Sequence, residues 1–318
     1  MQRIIVGIDV SQDHLDAFIR PKGLRKRFHN TDAGIAELVI WVKPHAAERI
    51  VFESTGPYQK KAVGVLLAEE LPAVVVNARQ VRHFAEAMNY LAKTDKIDAT
   101  VIAHFGEVAE TTVRPLESKE LRDLRELFDR RGQLVQFLAT EKNRRHSAEA
   151  AQASSRILKS IDKVTAFLAK QIKALELLMD QVIEASAAFR ASNEILQTIT
   201  GIGPQVARTL IAHLPELGQY DRQQIAALVG LAPFNDDSGN YSGQRHIYGG
   251  RSKVRLGLYQ AAIAAIRHCP DVKARYVALK ARGKASRVAV VAIARKLLVL
   301  ANAMIRDMKK FEPRSNSV

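Results

Sequence analysis

The sequence predicts a protein of α/β plus all-α class: a mixed sheet layered with helices, then a long helical segment, then a helical C-terminal domain. Three observations carry this. Short β-branched runs alternate with helical patterns over the first hundred residues, as in a layered α/β domain. Apolar residues at three-and-four spacing follow through Leu121, Leu124, Phe128, Val135 and Leu138, with Arg131 in one slot. The pattern resumes through Leu158, Ile161, Leu168, Ile172, Leu175, Met179 and Val182, with Thr165 at its polar slot. That heptad spacing predicts two long helices, paired as an antiparallel hairpin or in an intermolecular coiled coil, with ordinary helical bundle packing as the alternative. The expected boundaries are 1–114, 115–192 for the helical linker or dimerisation arm, and 193–318.

The elements follow in order. Ile4–Val10 (IIVGIDV) reads as a buried strand and His14–Arg20 alternates as its hairpin partner would. Leu24–Phe28 is a third short strand after the turn at Pro21–Gly23, and Asp32–Val42 is a helix capped by Thr31 or Asp32. Arg49–Glu53 is a strand, Tyr58–Glu70 a helix, Ala73–Val76 a strand and Arg79–Met88 a helix. Leu196–Leu214 holds Gly201-Ile202-Gly203-Pro204 between two helical patterns, like a helix-hairpin-helix whose amides meet a phosphate. Gln223–Leu231 is helical, and a loop rich in Gly, Ser, Asp and Asn spans Ala232–Arg251. Val254–Arg267, Val272–Ala281 and the buried, Ala/Val/Leu-rich Ala285–Met308 complete the helices.

Composition narrows the partners. The 318 residues are 47% hydrophobic, enough for a substantial core, with disorder expected only in the tail Glu312–Val318. Lys and Arg number 48 against 33 Asp and Glu, a net charge of +15, and the pI is near 10.0. Such an excess favours a polyanion, with nucleic acid ahead of a membrane surface. No apolar run is expected to reach the ~18–20 residues of a membrane span, and the start reads as a strand rather than a signal peptide. The single Cys269 excludes an intrachain disulfide and a cysteine zinc site, and it suits a reducing cytoplasm.

Four carboxylates carry the chemistry. Asp95 and Asp98 stand three residues apart in Lys93-Thr94-Asp95-Lys96-Ile97-Asp98, at the head of a helical pattern, so they share a helix face. Two like charges so placed repel unless a cation lies between them, although a solvated first helical turn also suits acids. Asp9 and Glu53 each sit near the end of an otherwise apolar strand, which is costly unless the acid faces solvent or a ligand. In a ribonuclease-H-like sheet the first strand is central, the fourth is its neighbour, and a late helix reaches both strand ends. The order Asp-strand, Glu-strand, Asp-x-x-Asp-helix therefore predicts a site for paired Mg²⁺ ions in phosphodiester chemistry. GIDVS also resembles the phosphate-gripping strand of actin-like ATPases, but the second Gly-rich half those proteins need is missing.

A second constellation runs from Ala232 to Gly243, followed by Arg245, Arg251, Lys253 and Arg255. Ser238 beside Gly239 can approach a phosphate closely, and the four cations could hold the backbone. Tyr241 and Ser242 compete with Ser238 as nucleophile, since a phenol also forms a phosphodiester with DNA.

Taken together, GIDVS with Asp9, FESTGPY with Glu53, KTDKIDA with Asp95 and Asp98, TGIGP, and GLAPFNDDSG continuing into GQRHIYGGR resemble the IS110-family transposases (the IS110/IS1111 group) over nearly the whole length. The resemblance implies a RuvC-like DEDD domain joined by a long helical segment to a C-terminal transposase domain. It implies Asp9, Glu53, Asp95 and Asp98 as ligands of Mg²⁺, with Mn²⁺ a substitute, and Ser238 as the nucleophile that becomes linked to DNA. It further implies a structured non-coding guide RNA, the bridge RNA, and a multimer in which the acids of one subunit face the serine of another. The reading is thus a bacterial, cytoplasmic, nucleoid-associated DNA recombinase acting as a homodimer or homotetramer. Its rivals are a RuvC-type junction nuclease in which water attacks, and a non-catalytic nucleic-acid scaffold.

Overall fold

The computed structural model describes residues 3–54, 56–90, 95–109, 117–234, 237–238, 241–243 and 245–312, with backbone alone for 95–97, 237–238 and 241–242. The expected boundary at 114/115 and the tail beyond Glu312 lie outside these residues. The chain forms two compact units, Met1–Glu117 and Ser118–Val318, and the long helices fall within the second.

In the first unit, β1 (Ile5–Val10), β2 (His14–Arg20), β3 (Leu24–His29), β4 (Arg49–Glu53) and β5 (Ala73–Val76) form one sheet of order β3-β2-β1-β4-β5. β1 is antiparallel to β2 and parallel to β4, so the first strand is central and the fourth its neighbour, as expected. Alternation sorts the strand residues to two faces. Val6, Ile8, Ile50 and Phe52 pack with Ile35, Leu38, Ala62 and Leu66 of α1 (Asp32–Val42) and α2 (Gln59–Ala68). Ile5, Val51 and Val74 face the other way, onto Val81 of α3 (Ala78–Ala87) and Ala99, Ile102 and Ala103 of α4 (Asp95–Val108). Local chemistry sets the helix starts: the Thr31 hydroxyl accepts from Gly34 N, and the Asn77 carboxamide from Arg79 N.

The second unit begins with α5 (Lys119–Ala150) and α6 (Ser155–Ala185), each about 45 Å long at 1.5 Å per residue. They pair antiparallel within one chain. Arg131 reaches Glu176 at 2.7 Å, Arg145 reaches Asp162 at 2.5 Å, and Leu134 packs with Leu168 and Ile172. The slot left to Arg131 by the apolar pattern is therefore an interhelical ion pair. Thr165, in the other polar slot, has its hydroxyl buried without a hydrogen-bond partner. The base of the arm merges through Leu124, Met179 and Ile183 into a core with α7 (Ala187–Gln197), α8 (Pro204–His213), α9 (Arg222–Val229), α10 (Ser252–His268) and α12 (Ser286–Arg306). α11 (Pro270–Ala281) packs on α10 and α12. One expectation is corrected here. α12 is long and apolar enough to cross a membrane. Its Ala289, Ile293, Ala294, Leu297, Leu298 and Ala301 are instead buried in the core of this unit.

Candidate active site

The acidic edge is built by the close seating of α4 on the sheet. Gly7 and Val51 are register partners on β1 and β4. A Cβ on Gly7 would stand 2.2 Å from the Ala99 carbonyl oxygen and 2.4 Å from Ala103 N, and one on Gly106 would stand 2.4 Å from Val51 Cγ2. Glycine on strand and helix thus brings the two backbones together. α4 runs antiparallel to β1, with Gly106 beside Ile5 and Val51 and Ala99 beside Gly7. Arg20 pairs with Glu107 at 2.6 Å, and Arg49 donates to the Ala109 carbonyl at 2.9 Å, fixing its far end.

From this seating the four acids can be placed. Asp9 and Glu53 each follow directly on the in-register pair Ile8 and Phe52, on strands ~4.8 Å apart. Each lies two residues past Gly7 or Val51, and so on the α4 face. From Gly7 to Asp9 the strand rises about 6.6 Å. From Ala99 back to Asp95 the helix covers about 6 Å in the same direction. The first turn of α4, with Asp95 and Asp98, is therefore level with Asp9 and Glu53. Asp9, Glu53 and Asp98 are half-buried, and Asp9 Oδ1 accepts from Val10 N at 3.0 Å. The Asp95 side chain lies outside the described atoms. Among the described residues no three His, Cys, Asp or Glu side chains are gathered tightly enough to hold an ion. The donor set, carboxylate oxygens alone, has the chemistry of a hard cation such as Mg²⁺.

Ser238 is not on a structureless loop. β6 (Pro233–Phe234) pairs with β9 (His246–Ile247), and β7 (Asp237–Ser238) with β8 (Tyr241–Ser242). These two short antiparallel ladders put Ser238 opposite Tyr241, flanking the two residues between them. Alternating patterning was too short here to predict strands. The side chains of Ser238, Tyr241 and Ser242 lie outside the described atoms.

The base of this hairpin is a glycine crossing. Gly230, at φ +78°, ends α9, and Gly250 has φ +68°; a Cβ on Gly250 would stand 2.3 Å from Gly230 N. Arg255 binds this crossing, donating to the carbonyls of Gly249 and of Val229. Arg251 donates to the His213 carbonyl at 2.7 Å and to both oxygens of Glu216. Lys253 pairs with Asp129. Three of the four cations read as phosphate ligands thus hold protein partners in this structure, and Arg245 is exposed. The sequence offered no signal for these internal bonds, because their acceptors are carbonyls and acids distant along the chain.

The two glycines of TGIGP separate in the same way. Gly201, at φ +97°, is pressed on α10, where a Cβ would stand 2.4 Å from the Ala261 carbonyl oxygen. Gly203 is exposed and starts α8 with no side-chain cap, leaving first-turn amides available to an anion. The other end of α8 is closed by guanidinium groups: Arg125 donates to the Ala212 carbonyl at 3.0 Å and Arg251 to that of His213, as suits a helix C-terminus. His213 itself stacks edge-on against Phe128 at 4.8 Å, with Nε2 buried and unbonded. Burial lowers its pKa to about 4, the nearby Lys253 adds to this, and Asp129 opposes it. The imidazole is therefore neutral at pH 7, and its 3.5 Å approach to Asp129 is not an ion pair.

A five-stranded mixed sheet with its first strand central, followed by a helical unit, is the architecture of a ribonuclease-H/RuvC-like domain joined to a helical domain. One transposase family model, of the IS110 DEDD type, matches residues 6–148, and the model of the IS116/IS110/IS902 transposase family matches residues 193–277. The chain belongs to the IS110 family of transposases, enzymes that rearrange DNA. It is 26% identical over 326 residues to the pilin gene-inverting proteins of Moraxella bovis and Moraxella lacunata, covering 99% of both chains in each case. It is 30% identical over 175 residues to the insertion element IS116 44.8 kDa protein of Streptomyces clavuligerus, covering 52% of this chain and 43% of that one.

Proposed function

We propose that the protein is the transposase of an insertion sequence, cutting and rejoining DNA through a phosphodiester bond to Ser238. The observation that carries this is the placement of Asp9, Glu53 and the first turn of α4 at one edge and on one face of the sheet. The four acids would hold Mg²⁺, or Mn²⁺ in its place, which supplies charge stabilisation at the phosphate and a lowered hydroxyl pKa. Ser238 Oγ attacks the scissile phosphorus and gives up its proton. The strand oxygen leaves and takes a proton, and a phosphoserine diester remains. Attack on that diester by the hydroxyl of a new strand end then restores the serine. Bond energy is conserved, so no nucleotide hydrolysis is needed.

The guide is a structured non-coding RNA. The +15 charge and the family resemblance support it. The working unit is a homodimer or homotetramer; the arm exposes Phe137, Phe167 and Leu177 by 56%, 60% and 65%, apolar surface of the kind that copies of a chain cover. The test is Mg²⁺-dependent strand cleavage by the full-length protein on its element ends, with and without Asp9→Asn. Loss of cleavage in a variant that stays folded is expected. Cleavage at the wild-type rate would remove the acidic edge from the reaction.

A further inference from the structure

A cluster of cations on α9 and α12 has no part in the chemistry above. Arg222, Gln223, Ala292, Arg295, Lys296 and Val299 line an open groove of about 370 Å³. Ala292, Arg295, Lys296 and Val299 recur at helical spacing, so they form the outward stripe of α12, whose opposite face is buried. Between Val288 and Ile305 the helix carries no other charge. Two adjacent cations interrupt an apolar helix where it meets a third cation from α9.

No acid lines the groove, and no ion pair or hydrogen bond among the described residues engages Arg222, Arg295 or Lys296. The neighbouring Asp221 caps α9, its Oδ1 accepting from Gln223 N at 2.7 Å and Gln224 N at 2.8 Å, and it does not line the groove. Three like charges around one groove repel, and an anion that bridges them relieves the repulsion. Guanidinium forks with an ammonium between apolar walls suit phosphate oxygens beside sugar carbons. The groove also has a fixed relation to the serine hairpin. Arg222 opens α9 and Gly230, at the hairpin base, closes it, a helix of about 12 Å.

We propose that this groove binds the phosphodiester backbone of a nucleic-acid strand, fixing that strand relative to the base of the serine hairpin. The inference rests on the nucleic-acid-rearranging reading. Its chemistry fits the backbone of the DNA substrate or of a guide RNA, and the test has an arm for each.

The full-length protein is titrated with a random-sequence DNA duplex and, separately, with a structured RNA, over a salt series. Wild type is compared with R222A/R295A/K296A and with the charge-retaining R222K/R295K/K296R. The alanine variant should bind on the order of a hundredfold more weakly at about 0.15 M salt. Its slope of log affinity against log salt should be shallower by about 3, near one unit per lost phosphate contact. The charge-retaining variant should keep most of the affinity. Loss confined to the duplex assigns the groove to DNA, and loss confined to the RNA assigns it to RNA. Unchanged affinity and slope for both probes, in an alanine variant with wild-type melting temperature, overturns the proposal. Equal loss in the charge-retaining variant does the same. Failure of wild type to bind either probe would instead strike the nucleic-acid reading itself.

Discussion

Gly7 and Ala99 meet backbone to backbone: a Cβ on Gly7 would stand 2.2 Å from the Ala99 carbonyl oxygen. That contact sets the height of α4 over the sheet, and with it the level of Asp95 and Asp98 against Asp9 and Glu53. Gly7→Ala should push α4 off the strands at a cost of about 3 kcal/mol, typical of overpacking a full core. Chemical denaturation measures the cost, and the acidic edge should lose metal-dependent cleavage in the same variant. A variant with wild-type stability would contradict the close seating.

The glycine crossing under the serine hairpin makes a separable prediction. A Cβ on Gly250 would meet the backbone of Val229 and Gly230 within 2.6 Å, at a φ of +68°. Gly250→Ala should therefore disturb the hairpin base by a few kcal/mol while the first unit is untouched. Hydrogen exchange should show the change in residues 229–255 and leave β1 and β4 protected as in wild type. Unaltered exchange around the hairpin would show that the crossing does not hold it.

Neutral His213 makes stability depend on pH. Its pKa is about 4 in the folded chain against an ordinary 6.5. Between those values the unfolded chain binds a proton that the folded chain refuses, so acid favours unfolding. Stability fully present above about pH 6.5 should fall as pH drops toward 4, by about 2 kcal/mol once solvent screening is allowed for. Urea midpoints across that range measure it, and His213→Gln should flatten the dependence. An equally steep loss in His213→Gln would assign the effect to other groups.

Much of this architecture was legible in the sequence, for identifiable reasons. His14–Arg20 alternates and Arg49–Glu53 is an apolar run between two charged ends, so period and turn signals bounded them to the residue. The arm was legible because heptad spacing holds from Leu121 to Leu138 and again from Leu158 to Val182, and Arg131 and Thr165 stood out as the exceptions. The strands around Ser238 were not legible, because two-residue ladders carry no period. Nor were the partners of Arg251, Lys253 and Arg255: an arginine bound to a carbonyl looks, in sequence, like an arginine awaiting a phosphate. The groove cations Arg222, Arg295 and Lys296 were missed because they come together only when α9 packs on α12. Their one sequence signal was the paired charge inside an apolar helix.

In the proposed reaction Ser238, on a short strand paired with Tyr241–Ser242, takes the DNA strand covalently. The most direct measurement is to trap the protein–DNA adduct on element ends under denaturing conditions and map the modified peptide by mass spectrometry. DNA phosphate on Ser238, and no adduct in Ser238→Ala, is the expected result. An adduct on Tyr241 or Ser242, or strand cleavage with no adduct at all, would contradict it.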